Sequence, residues 1–88
     1  MKAAEGMKVT AYTGRSVGII IEATTWQGTI TKVNRKSIRV NLTEETRTYG
    51  KETKGHRSIN ETVRFRYWKT TRDGRELYKN EIKGIIEI

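Results

Sequence analysis

Apolar residues alternate with polar ones along most of this chain, and few recur at the spacing of a helix face. Val, Ile and Thr recur throughout, which suits a pleated, half-buried surface. The cleanest alternation runs from Ser37 to Leu42: Ile38, Val40 and Leu42 share one face, and Ser37, Arg39 and Asn41 the other. A second clear strand is ETVRFRYWKT at 61–70. Val63, Phe65 and Tyr67 face one way there; Thr62, Arg64, Arg66, Trp68 and Thr70 face the other. MKVTAYT at 7–13 predicts a first strand and Gly14-Arg15 a turn. SVGIIIEAT at 16–24 then reads as a strand with Val17, Ile19, Ile21 and Ala23 aligned, and Ile20 opposite them, so both sides expect some cover.

The stretch WQGTITKVNRKSIRVNL, 26–42, is a hairpin with one irregularity. Ile30 and Val33 are three apart, so strict pleating would send them to opposite faces. A bulge or sharp bend near Thr31 to Lys32 lets both reach a core. Gly28 suits a strand that coils or is closely approached. Asn34 opens the turn Asn34-Arg35-Lys36 and tolerates a left-handed backbone. Bent strands and corner glycines in 88 residues predict a single all-β domain spanning 1–88, a small, strongly bent antiparallel barrel of five to six strands.

The spacing of Gly28, Ile30 and Val33, a short turn, then Ile38, Val40 and Leu42, resembles the central hairpin of small barrels of the Src-homology type, the group that includes KOW, Tudor and Sm-like modules. The likeness covers 26–42 and consists mainly of apolar spacing. It implies a five- or six-stranded SH3-like barrel, a shape often used to bind nucleic acid or peptide. The acidic and asparagine signature of true Sm proteins is missing, so no RNA site is carried over.

Two segments break the alternation. Residues 43–60, TEETRTYGKETKGHRSIN, hold only Tyr49 and Ile59 as substantial apolar side chains. Eighteen structureless residues are uncommon inside a compact domain, so the segment reads as an extended polar hairpin arm with Gly50 to Gly55 near its tip. After a turn at Asp73-Gly74, residues 75–81 admit a short helical turn, while EIKGIIEI reads as a last strand that gathers Ile82, Ile86 and Ile88.

Charge changes the picture most. Eighteen Lys and Arg against ten Asp and Glu give +8, and each half of the chain carries +4, so the excess belongs to the whole surface. Such a potential favours polyanions. With no cysteine and one histidine, disulfides and thiolate metal sites are excluded, and no cofactor motif is present. The chain lacks a signal-peptide core and an apolar run long enough to span a membrane, so a soluble cytoplasmic protein is expected.

The candidate chemistry follows from where the cations fall. Arg64, Arg66 and Trp68 are same-face neighbours with Lys69 beside them, which is the pairing of guanidinium and aromatic that a nucleic-acid surface needs. Lys32, Arg35, Lys36 and Arg39 form a second cluster with no acid among them, and Lys51, Lys54 and Arg57 lie on the arm. Trp26 is expected in the core or at its rim. The expected function is non-enzymatic nucleic-acid binding, to DNA or RNA, directed at phosphates. The rival is a protein-interaction or structural module, such as an accessory or virion component, that oligomerises or holds a partner through the arm or a barrel edge. A third reading, a small metal-independent ribonuclease, would need His56 beside a carboxylate such as Glu52 or Glu61.

Overall fold

The computed structural model describes residues 2–88. Six strands follow one another: β1 (Lys8–Val17), β2 (Ile20–Val33), β3 (Ser37–Tyr49), β4 (Glu52–Thr70), β5 (Glu76–Asn80) and β6 (Gly84–Glu87). Each pairs antiparallel with the next, and β6 returns to β1, so the sheet closes into a barrel. The seam is short, made by Ala11 opposite Ile86 and Tyr12 opposite Ile85.

The core is the inward row that the alternation predicts. Ile38, Val40, Leu42 and Phe65 are fully buried, joined by Ala11, Ile30, Tyr78 and Ile86. The register slips between Ile30 and Lys32, so Thr31 is the bulge. Ile30 is thereby buried and Val33 packs against the same cluster. Gly28 sits where β2 and β3 touch: a side chain there would meet the Asn41 carbonyl at 2.7 Å and Val40 at 2.8 Å. Burial pushes the Tyr78 phenol up to about 12, and its hydroxyl donates to Glu76 Oε1 at 3.2 Å.

Several local expectations need correction. Gly14-Arg15 is no turn; β1 runs through it and reverses at Gly18-Ile19, between the paired Val17 and Ile20. A glycine in the first of two central positions is what a II′ turn demands, and Gly18 has φ 63°. Residues 16–24 therefore contribute to two strands, and Val17, Ile19 and Ile21 are exposed at a tip. Asn34 is not left-handed, since positive φ is confined to glycines among the described residues. Residues 75–81 form no helical turn: Glu76–Asn80 is β5, held in the sheet by β4 and β6. Ile82 falls in the following turn and is exposed instead of joining Ile86. Among the described residues no helix is long and apolar enough to cross a membrane.

The arm is real and broader than one hairpin. β3 and β4 continue past the barrel to a turn at Gly50-Lys51, and the distal halves of β1 and β2 pair alongside, Glu22 opposite Tyr49. The result is a four-stranded sheet that leaves the barrel where the register slips at Gln27/Gly28 and Leu42/Glu44. Trp26 closes the core at this point, 5% exposed. Its indole donates to Glu45 Oε2 at 3.0 Å, and Arg57 grips both oxygens of that carboxylate at 3.1 and 3.2 Å.

Glu45 is itself 4% exposed, and its pKa is lowered chiefly by the Arg57 hydrogen bonds, against the upward push of burial. A group held low in the fold stabilises it above the unfolded value, about 4.3, and that stabilisation is lost as pH falls through the folded value. Glu45→Gln keeps an acceptor for Trp26 but drops the charge. It is expected to melt a few degrees below wild type at neutral pH, with the gap closing in acid. Thermal melts of both proteins from pH 7 downward check this; a gap that is constant with pH would refute it.

Candidate functional site

Pairing of β3 with β2 and β4 brings the two separate basic clusters of the sequence onto one outer face. Alternation that turns Ile38 and Val40 inward turns Arg39 outward, and the same rule applies to Arg64 between Val63 and Phe65. Arg39 then lies opposite Lys32 on one side and opposite Arg64 on the other. Directly opposed residues in an antiparallel sheet stand about 4.5–5.5 Å apart at Cα with side chains on the same face. Three cations therefore form a row across three strands. One step along, Arg66 lies opposite Lys79. The Lys36 carbonyl accepts from the Tyr67 amide at 2.8 Å, which docks the Arg35-Lys36 turn against β4 beside this second row.

Trp68 completes the face. The register slips between Tyr67 and Lys69, so Trp68 occupies a bulge and its ring stays 42% exposed. The ammonium groups of Lys69 and Lys79 lie 4.3 and 5.0 Å from its ring centre. Tyr67 turns the other way, packing edge-on against Tyr78 at 5.8 Å and bonding Thr70 through its hydroxyl. A groove of about 500 Å³ opens beside Arg64, Arg66 and Lys79, with Asn80, Glu81 and Ile82 as its other wall.

The cations of this face have no carboxylate within 4 Å among the described residues. Lys2, Lys8, Lys51 and Arg72 share that property, but only here does it involve directly opposed residues. Of eighteen Lys and Arg, six have a carboxylate within 4 Å among the described residues: Arg15, Arg47, Lys54, Arg57, Arg75 and Lys83. Lys32, Arg35, Lys36, Arg39, Arg64, Arg66, Lys69 and Lys79 are all exposed and none belongs to that group. Like charges directly opposite each other in a sheet oppose folding, by up to about 1 kcal/mol per pair. The Lys32–Arg39–Arg64 row contains two such pairs.

The arm cations stand apart. Lys54 and Arg57 are nine to twelve residues from Arg66 along an extended strand, roughly 30 Å or more at 3.3 Å per residue. Lys54 pairs with Glu52 at 2.7 Å, and Arg57 serves the Glu45 clamp. Lys51 occupies the distal turn. His56 is on the arm as well, half-exposed, with Nε2 3.9 Å from Glu44 rather than beside Glu52 or Glu61. Glu61 pairs instead with Lys83, whose ammonium also lies 4.9 Å from the Trp26 ring. Among the described residues no group of acids and histidine has the arrangement of a metal centre.

Lys79 is the one member of the face that the sequence reading misses. The helical turn that the sequence admits over 75–81 hides it; in β5, with Tyr78 turned inward, Lys79 points outward beside β4. Compared with known protein families, characterised proteins and solved structures, the chain matches none.

Proposed function

We propose that the protein binds nucleic acid, without catalysis, through the outer face of β2 to β5. The observation that carries this reading is the row Lys32–Arg39–Arg64, three opposed cations with no carboxylate among the described residues to relieve them. A bound polyanion would remove that repulsion, and phosphates are the polyanion that Arg and Lys at close spacing recognise. Four strands span about 14 Å, the run of about four phosphates along one duplex strand at 3.4 Å each. Trp68 offers a face on which an unpaired base would stack. The likeness of 26–42 to Src-homology-type hairpins agrees with this reading, since such barrels commonly serve as binding platforms.

The contacts expected are to backbone phosphates, with no helix among the described residues to enter a major groove and read base edges. Fluorescence anisotropy with labelled single- and double-stranded DNA and RNA across roughly 50 to 200 mM salt tests the proposal. With four to eight cations engaged, log affinity should fall with log salt at a slope of about −4 to −7. A slope near zero, or no binding at the lowest salt, would end it.

A further inference from the structure

The end of the arm carries the opposite chemistry from the basic face. Val17, Ile19, Ile21 and Tyr49 are all exposed there, and Ile19 is as open as a free side chain can be, at 102%. Ile20, paired with Val17, lies against the neighbouring turn, 3.5 Å from where a side chain on Gly50 would begin. The Gly50 amide donates to the Ile21 carbonyl at 2.9 Å, so the two hairpin turns form one blunt end. Val17 and Ile20 point to one side of the sheet and Ile21 to the other, which makes the end apolar all round. Turns are ordinarily polar, and a cluster of this kind marks an interaction surface.

Charge indicates what covers it. The arm segments 13–25 and 44–58 hold five cations and four carboxylates, so +1 of the total +8 resides there. Its ionised groups are largely matched within the arm: Arg15 with Glu22, Arg47 and Arg57 with Glu45, Lys54 with Glu52. Two copies approaching through their barrels would meet a strong mutual repulsion, whereas two arms meet almost none. The strands flanking the end also have unpaired outer edges, since β1 meets β6 only at Ala11 and Tyr12 and β4 meets β5 only from Arg66 onward.

We propose that the arm end is a self-association surface, its occupant the arm end of a second copy. Ile19, Ile21, Val17 and Tyr49 of the two chains pack together in an isologous contact, and the open edges of β1 and β4 border it. Four apolar side chains from each chain fall short of the ~800 Å² per partner of a standard stable interface, which places the contact among weak, concentration-dependent ones. Its geometry sets the two basic faces at opposite ends of the pair, where a long polyanion could engage both at once.

Sedimentation velocity from about 1 µM to about 1 mM protein, without nucleic acid, tests this. The expected result is a monomer–dimer equilibrium that Ile19→Lys weakens at least about tenfold, with the melting temperature of dilute protein unchanged because Ile19 supports nothing in the monomer. Arg39→Ala should associate as wild type does, so failure of this contact and failure of nucleic-acid binding are separately visible. Monomer at every concentration overturns the proposal, as does a dimer indifferent to Ile19→Lys. Monomer that instead co-sediments with phosphatidylcholine vesicles also overturns it, making the end a lipid-facing one.

Discussion

Replacing Gly84 by alanine is expected to open the barrel. Gly84 begins β6 with φ 79°, a conformation that costs an L-residue about 1–2 kcal/mol. The larger penalty is steric. An added methyl would lie on top of the Tyr12 carbonyl, with the Thr13 side chain 2.9 Å away. This is backbone, which cannot swing aside as a side chain does, and it belongs to β1, the strand that β6 meets across the seam. Overpacking of that kind costs about 1–3 kcal/mol even where neighbours yield. The sum, about 2–5 kcal/mol, is a large part of the roughly 5–15 kcal/mol that holds a domain together. For a chain of this size each kcal/mol moves the midpoint by about 4–8 °C, so a drop of at least about 8 °C is expected in a thermal melt. Gly18→Ala is the control: it shares the positive φ, at 63°, but a methyl there meets nothing within 4 Å. It should lose only the backbone portion. Equal losses in the two variants would show that β6 is not clamped against β1 as described. Hydrogen exchange localises the effect, with the Gly84→Ala amides at Ala11, Tyr12, Ile85 and Ile86 losing protection first.

The seam also marks where the sequence became hard to read. Long-range closure by two residue pairs leaves almost no trace in local pattern, and β5 and β6 are too short for alternation to separate strand from helical turn. The first hairpin misleads for a related reason. Gly14-Arg15 has turn chemistry, yet β2 offers an unbroken partner on that side from Thr29 to Ile20, and the ladder overrides the local preference. VGIII reads as core by hydrophobicity alone; what it lacks is anything to lie against, because the strands that carry it outrun the barrel. By contrast, Ile38, Val40 and Leu42 were legible from period two, and the Ile30–Val33 spacing called for a bulge near Thr31 to Lys32, which the register places at Thr31. The candidate face was half legible. Which residues point outward follows from parity within each strand, but that Arg39 stands between Lys32 and Arg64 depends on register between strands. Register is set by the bulge and the turn together, and neither is fixed by one residue type. The arm cations show the converse: they are as prominent in the sequence as the others, and only the fold reveals Arg57 turned to Glu45.

Reversing the charge of Arg39 separates a functional face from a solvated one more sharply than removing it. Arg39→Glu turns the two repulsive cross-strand pairs into two attractive ones, with Lys32 and with Arg64. Opposed unlike charges contribute roughly 0.2–1 kcal/mol per pair, so the free protein should become slightly more stable, by about 1 kcal/mol at low salt. Binding should move the other way. The variant loses the central phosphate contact, occupies its two neighbours with a carboxylate, and places negative charge where the polyanion would lie. Up to three cations leave the footprint, so the salt slope should shrink by about two to three units and affinity near 0.1 M salt should fall on the order of 10- to 100-fold. Trp68 and Arg66 remain in place, and residual stacking on single strands should survive better than duplex binding. Paired measurement of melting temperature and anisotropy decides the matter. Higher stability with lost affinity identifies a face whose repulsion is kept for a ligand. Higher stability with unchanged affinity would mean that the row is an ordinary solvated surface, and that nucleic acid, if bound, is held elsewhere.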